Sequence, residues 1–436
     1  MITPQDVEVS SLGPREVDSP LGLSTVYGDG MVNFVPEQGK TRFRVTLGPD
    51  VPDGPEVLFD RAGPRQNLFF DPARTSAAVV TCGGLCPGLN NVIRSIYLQL
   101  TYGYGVKQVF GIRYGFKGLH PNSGAEPFLL TDEAVSNIHR RGGTMLGSSR
   151  GPGDPETMVN FLHDRGIDIL FCVGGDGTQR GAHAIATEVA RQGRQIAVVG
   201  VPKTIDNDIM YVNRTFGFST AVEQARLILD SAHAEATGAE NGIALVKLMG
   251  RHAGFIAAAA TVASQDVNFV LVPEVPFKLH GDNGFLEHLK QRLLKRRHAV
   301  IVVAEGAGQD LLADDSVERD ASGNVKLEDI GPFMQRKILE YFKEQGLYTT
   351  VKYFDPSYAI RSTHADADDS VLCDQFARNA VHAAMAGYTD TVIGLWHGVF
   401  IHVPIGLATS EQKRMDVEGL LWRSALAATG QPVRFG

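Results

Sequence analysis

Eight short apolar runs punctuate this chain: AAVVT, QVFGI, DILFCVGG, IAVVGV, GIALVKL, NFVLVP, HAVIVVAEG and DTVIGLW. Each is about five residues of mostly β-branched or aliphatic side chains, the length and composition of a strand buried on both faces. Several open into glycine-rich turns and then into helical periodicity, as in LNNVIRSIYLQLTY and TAVEQARLILDSAHAEA. That rhythm predicts α/β architecture, with doubly wound, largely parallel sheets and helices on both faces. Residues 1–70 differ. They are rich in Pro, Gly and charge with short alternating pieces such as TRFRVTL, and read as an N-terminal extension carrying some strand. There is no repeat period or low-complexity tract. The stretch AGQDLLADDSVERDASGNVK reads as a surface loop or hairpin with a solvated acidic cluster.

Composition narrows the function. A chain of 436 residues with 43% hydrophobic content can build two or three globular cores. The formal charge of −8 argues against a general nucleic-acid binder, which needs surplus Lys and Arg to displace counterions. A small anionic ligand stays compatible, because net charge says nothing about one pocket. No run of about 18 apolar residues is present, and MITPQDVEVSSLG lacks the basic start and apolar stretch of a signal peptide, so no membrane association and a cytoplasmic location are expected. The four cysteines, Cys82, Cys86, Cys172 and Cys373, are too few for a disulfide framework, in keeping with a reducing compartment. Cys82 and Cys86 could pair or hold a metal, but they read more simply as small side chains packed in a turn.

In sheets of this kind ligands bind beyond the carboxyl ends of the strands. Three turns there are informative. VVTCGGLCPGLNNVIR places Gly83, Gly84 and Gly88 between a strand and a helix, where backbone amides can approach phosphate oxygens; a plain tight turn accounts for it equally well. FCVGGDGTQRGAHAIA ends a strand in Gly174, Gly175, Asp176, Gly177 and Thr178. A carboxylate among phosphate-binding amides repels an anion unless a cation stands between them, so Asp176 is a candidate Mg²⁺ ligand, or else a helix cap. VPKTIDNDIM sets Asp206 and Asp208 two positions apart, on the same side if the segment is extended, where one can act as general base and the other near a metal. DND is also typical turn chemistry, and taken alone the segment reads as a turn.

The ordered series TCGGLCPGLN, GGTMLGSSRG, GGDGTQRGA, PKTIDND, KLMGRHAGF, VVAEGAGQ and YFDPSYAIR resembles the 6-phosphofructokinase family, over more than four fifths of the chain, from Ala62 to Trp422. GGDGT alone is shared with NAD, diacylglycerol and sphingosine kinases, whereas TIDND and MGR at these spacings are similar only to phosphofructokinases. The extension, AGPRQNLFFDP and TCGGLCPGLN resemble the ATP-dependent branch of plants and trypanosomatids. The resemblance implies a nucleotide-binding domain of residues 71–217 and 360–405, a sugar-phosphate-binding domain of 218–359 and 406–436, and an active-site cleft between them. It implies transfer of the ATP γ-phosphoryl group to the 1-hydroxyl of fructose 6-phosphate with Mg²⁺, in a homodimer or homotetramer.

Carried over residue by residue, the resemblance makes Asp206 the general base, with Thr204 at the reacting end of the sugar and Asp208 close to the metal and the base. An aspartate of ordinary pKa would be ionised at neutral pH. Gly84, Arg150, Gly151, Gly175, Asp176, Gly177, Thr178 and Lys203 match nucleotide-binding positions, with Asp176 placing Mg²⁺ and Arg150 reaching the transferred phosphate. Arg251 would neutralise charge near the transferred group, Met249 and Gly250 would shape the sugar pocket, and Glu305 would accept from a sugar hydroxyl. Tyr358 and Arg361 would contact the 6-phosphate. Glu274 in VPEVPF reads as a surface or domain-junction residue, and His252 and His397 as structural.

Two cross-subunit arginines of the bacterial pattern are replaced, by Gly242 and by Lys352, so such a contact is expected only at Lys352. Lys203 is usual in pyrophosphate-dependent relatives, which makes a pyrophosphate enzyme the alternative. Those relatives resemble GGDD where this chain has Gly177, and exclusion decides specificity more sharply than a tolerant attraction, so ATP is the expected donor. A sugar-phosphate-binding paralogue without turnover would be expected to lack one of the carboxylates Asp176, Asp206 and Asp208; all are present.

Overall fold

Ser76–Thr81, Ile169–Gly174 and Ala197–Pro202 are buried along their whole length, as continuous apolar runs must be when helices cover both faces of a sheet. They form the middle of a seven-stranded sheet in the computed structural model, which describes residues 2–46, 48, 54–151, 153–312 and 327–436. The order across that sheet is Val399–Pro404, Thr391–Trp396, Ala197–Pro202, Ile169–Gly174, Ser76–Thr81, Gln108–Ile112 and Phe128–Leu129. The central five strands are parallel, and the two outermost pair antiparallel with their neighbours. Most of the loop or hairpin expected for AGQDLLADDSVERDASGNVK, residues 313–326, lies outside the described residues.

The chain divides into two units, of which this sheet organises the first: Met1–Thr204, Ile209–Gly217 and Thr363–Glu411. Its helices follow the predicted pattern. Asp176–Arg191 buries Ala182, Ile185, Ala186 and Val189, the three-and-four spacing of one apolar face. The N-terminal residues belong to this unit and add two antiparallel ribbons, Val17–Asp18 with Asn67–Leu68 and Lys40–Arg42 with Leu58–Asp60. Arg65, almost fully buried, fastens the extension by donating to the carbonyl oxygens of Arg61 at 2.6 Å and Gly63 at 3.2 Å. All four cysteines are free and buried, so Cys82 and Cys86 are packing residues.

The second unit comprises Ile205–Asp208, Phe218–Ser362 and Gln412–Gly436. It holds a parallel four-stranded sheet in the order Phe269–Leu271, His298–Ala304, Gly242–Leu248, Thr350–Phe354. The register pairs Leu248 with Ala304 and Val246 with Phe354, so three strands end within two residues of one another. Whatever follows those ends in sequence is therefore gathered at one edge. No helix among the described residues is long and apolar enough to cross a membrane.

Candidate functional site

In the first unit the chain runs from Ser76–Thr81 outward to Gln108–Ile112, then returns to lay Ile169–Gly174 on the other flank of Ser76–Thr81. The two connections leave in opposite directions, and the crevice this opens at the carboxyl ends is where such sheets take ligands. TCGG and GGDGT flank that switch point. Gly175 is the N-cap of Asp176–Arg191, and Asp176, Gly177 and Thr178 form the first turn, so the positive end of the helix dipole lies at GGDGT, with the Thr178 amide turned back to the Gly175 carbonyl at 2.8 Å. Asp176 is the acidic residue of that turn, with Arg180 at 4.0 Å one turn on. A methyl group built on Gly177 meets no atom within 4 Å. Lys203 leaves the third strand end; its backbone accompanies GGDGT through Lys203 N to Gly174 O at 3.0 Å, and its buried ammonium donates to the carbonyl oxygen of Gly84 at 2.7 Å. The lysine thus ties all three turns. Arg150 is exposed, and Gly151 beside it takes a left-handed φ of 106°. The Thr204 carbonyl accepts from the Thr215 hydroxyl at 2.5 Å.

In the second unit the paired strand ends bring together MGR, Glu305 and YAIR. Met249 is wholly buried, and Gly250 takes φ 129° where a Cβ would lie 2.6 Å from the Ala253 carbonyl, so only glycine fits. Glu305 N donates to Leu248 O at 2.9 Å and Gly306 N to Gly250 O at 3.1 Å, stitching the two turns. Asp355 caps Ser357, which opens the short helix Ser357–Ser362 carrying Tyr358 and Arg361. Tyr358 is 87% exposed, while Arg361 is partly buried and its Nε makes no hydrogen bond among the described residues. A buried donor of that sort is the group a phosphate oxygen satisfies. Lys352 pairs with Glu235 at the surface.

The TIDND segment departs from the extended reading. Asn207 has φ 56°, so the backbone turns through the left-handed region that Asn tolerates, and the Asn207 residue is buried. Turn chemistry and functional placement are here one feature. The turn sets Asp206 near Asp208, Glu305 and Arg361. Burial first, then the charges of Asp208 and Glu305, push the Asp206 carboxyl well above the ordinary carboxylate range; Arg361 and the Arg251 backbone act in the opposite sense. The expectation of an unperturbed aspartate is therefore revised. His252, partly desolvated and next to Arg251, is pushed down despite Asp208, which fits a neutral structural ring.

Two residues went unassigned by sequence reasoning. Glu274, expected at a surface or junction, is partly buried and accepts from Gly254 N at 2.9 and 3.0 Å and from Met415 N at 2.8 Å. Gly254 is the N-cap of Phe255–Ser264, so the carboxylate caps from a distance the helix that follows MGRHAGF. Lys413 donates its backbone N–H to Asp208 O at 3.0 Å. Neither lies in a motif. Among the described residues no group of three or more His, Cys, Asp or Glu is placed to hold a metal ion.

Residues 76–384 match the family described as Phosphofructokinase. The chain is 46% identical over 435 residues to a Borreliella burgdorferi protein named ATP-dependent 6-phosphofructokinase, covering 98% of this chain and 97% of that one. It is 48% identical over 376 residues to the Trypanosoma brucei brucei protein of the same name, covering 86% of this chain and 76% of the relative. Among solved structures it resembles a pyrophosphate-dependent phosphofructokinase from Nitrosospira multiformis, with a TM-score of 0.68, 19% identity and coverage of 83% and 93%; that likeness concerns the fold alone.

Proposed function

This chain belongs to the phosphofructokinase family, and from that membership we infer that it is an ATP-dependent 6-phosphofructokinase, transferring the γ-phosphoryl group of ATP to the 1-hydroxyl of fructose 6-phosphate. The products are fructose 1,6-bisphosphate and ADP. The observation that carries the reading is the convergence of a buried carboxylate, Asp206, with Asp208, Glu305 and Arg361 at the carboxyl ends of parallel strands. A base whose pKa is raised toward the working pH is a stronger proton acceptor than an ordinary aspartate, provided it is ionised when the hydroxyl arrives.

In this reading Asp206 takes the proton of the 1-hydroxyl as that oxygen attacks the γ-phosphorus and the bond to the ADP oxygen breaks. Thr204 hydrogen-bonds at the reacting end of the sugar, and Arg251 and Arg150 offset charge on the transferred group. Met249 and Gly250 wall the sugar, Glu305 accepts from a hydroxyl, and Arg361 with Tyr358 holds the 6-phosphate. Gly84, Gly151, Gly175, Gly177 and Thr178 let main-chain amides approach the nucleotide phosphates. Lys352, which pairs with Glu235 within this chain, is the residue through which a second copy in a homodimer or homotetramer would be contacted in this reading. The enzyme is expected to work in the cytoplasm.

The donor set suits Mg²⁺. Asp176 offers a hard oxygen at a helix N-terminus beside phosphate-binding amides, and Mg²⁺ in such sites takes one or two carboxylates with phosphate oxygens and water completing the shell. When bound, the ion neutralises charge on the β- and γ-phosphates.

Lys203 keeps pyrophosphate in view as a second donor. Its ammonium, however, is engaged with the Gly84 carbonyl and so shapes the turn whichever donor binds, whereas Gly177 leaves open space where a second carboxylate would repel a nucleotide. Fructose 6-phosphate and Mg²⁺ offered with ATP and with pyrophosphate in parallel test the reading. Turnover with pyrophosphate alone overturns the donor; no turnover with either overturns the enzyme.

A further inference from the structure

Lys247 opens the stretch KLMGR, a charged residue in the otherwise buried, apolar strand Gly242–Leu248. A lysine is costly there unless anions meet it. Two carboxylates do so. The Lys247 Nζ lies 2.9 Å from Asp329 Oδ1 and 2.9 Å from Asp355 Oδ2, and only 12% of its side chain is exposed. Register explains the second contact: Val246 pairs with Phe354 at the end of the ladder, so Lys247 and Asp355 are the next residues along on neighbouring strands. Helix packing supplies the first. Asp329 is the N-cap of Ile330–Glu344 and accepts from Gly331 N at 3.2 Å, and with no Cβ at Gly331 the helix start lies close against the Tyr353 ring.

Each carboxylate has a further attachment. Asp355 Oδ1 accepts from Ser357 N at 3.2 Å and from the Ser357 hydroxyl at 2.5 Å, and Ser357 opens the helix that carries Arg361. Beside Asp329, Glu328 exchanges two backbone hydrogen bonds with the Gln309 side chain, whose Nε2 also donates to Glu305 O at 2.9 Å. The ammonium thus links the segment bearing Arg361 to the segment that follows Glu305. Burial works against the Lys247 charge, but the hydrogen bonds to Asp329 and Asp355 outweigh it and raise the lysine above its ordinary pKa. Burial likewise opposes the Asp355 charge and is outweighed by Ser357 and Lys247, so the pair is ionised at neutral pH. We propose that Lys247 is a positioning residue for the sugar phosphate: it pins Asp355, and with it the Ser357–Ser362 helix, to the strand end, and so presets Arg361 for the 6-phosphate in the functional reading above, on which this inference rests. A helix of 6 residues has too few internal hydrogen bonds to hold itself, so its direction is set by what fastens its first turn. A guanidinium held in place before the ligand arrives loses less freedom on binding.

Lys247→Met keeps the stem and removes the charge. With full-length protein, ATP, Mg²⁺ and fructose 6-phosphate, it should raise the KM for fructose 6-phosphate by about tenfold and leave kcat and the KM for ATP within about threefold. Calorimetric binding of fructose 6-phosphate without ATP should weaken by the same factor. Lys247→Arg keeps a cation between the carboxylates and should recover most of the affinity. Asp355→Asn leaves Lys247 paired with Asp329, a milder lesion for folding, and should raise the same KM by about threefold or more. In an Arg361→Ala background Lys247→Met should add little, because both changes act on one contact. An unchanged KM for fructose 6-phosphate in the folded Met variant or in Asp355→Asn overturns the proposal. So does a loss that multiplies with that of Arg361→Ala, or that falls equally on both substrates, since that is the mark of a purely structural residue. If Lys247→Met does not fold, Asp355→Asn, alone and combined with Arg361→Ala, decides by the same criteria. If the wild-type protein itself neither binds nor phosphorylates fructose 6-phosphate, the functional reading falls and this proposal with it.

Discussion

Replacing Asp206 by Asn keeps the shape of the turn and removes one charge from a cluster of three carboxylates. Two effects of opposite sign should follow. Catalysis loses its base, so kcat should fall by at least about 10²-fold while the KM values change little, because the amide still fills the site. Stability should rise. The folded-state pKa of Asp206 is raised by burial and by Asp208 and Glu305, so the folded protein binds that proton more tightly than the unfolded chain does. The resulting stabilisation is complete below the unfolded carboxylate pKa and is lost as pH rises through the raised folded value. An asparagine cannot suffer that loss. Each tenfold difference in proton affinity between the folded and unfolded chain is worth about 1.4 kcal/mol, and discounting for solvent screening leaves a gain on the order of 1 kcal/mol near pH 7, or about 2–4 °C in Tm for a domain of this size. Near pH 4 the two proteins should unfold together. Steady-state kinetics and thermal scans at pH 4 and pH 7 make the comparison. A variant that turns over within a few-fold of wild type, or that is destabilised at pH 7, refutes the reasoning.

Arg361→Ala removes a charged contact to one end of one substrate and should raise the KM for fructose 6-phosphate by about 10- to 100-fold with little change in that for ATP; equal rises would point to a structural role. Gly177→Asp meets open space and should fold normally, yet weaken ATP use sharply by setting a second carboxylate beside Asp176, while Lys203→Gly should lower turnover without making pyrophosphate the better donor. Parallel donor assays read both. Glu274→Ala leaves the buried amides of Gly254 and Met415 without their acceptor, at about 1–3 kcal/mol for each unsatisfied donor, and should lower the urea midpoint; an unchanged midpoint would show that water replaces the carboxylate.

Most of the fold was legible because its signals are local. A buried parallel strand needs a continuous apolar run, and the helix Asp176–Arg191 needs apolar residues three and four apart; both conditions are met in sequence before any tertiary contact forms. The glycine at position 250 is local in the same sense, since a backbone at φ 129° admits little else. The alternation argument for Asp206 and Asp208 failed for a reason also visible locally: an Asn between two aspartates is a residue that accepts the left-handed region, and it turned the chain.

What the sequence by itself determined, then, is the alternation of strand and helix, the turns that can approach phosphate, and the residue types available at each turn. Which of those turns meet was decided by strand order and register. Leu248 lies level with Ala304 and Val246 with Phe354, and that pairing brings Arg251, Glu305 and Arg361 to one edge from positions as much as 110 residues apart (361 − 251). The raised pKa of Asp206 belongs wholly to the tertiary structure, because desolvation and like charge act through space. Lys413 and Glu274 stayed hidden for the same reason. Their partners are the backbones of Asp208, Gly254 and Met415, and a main-chain amide or carbonyl looks the same in every residue until folding sets it beside a side chain.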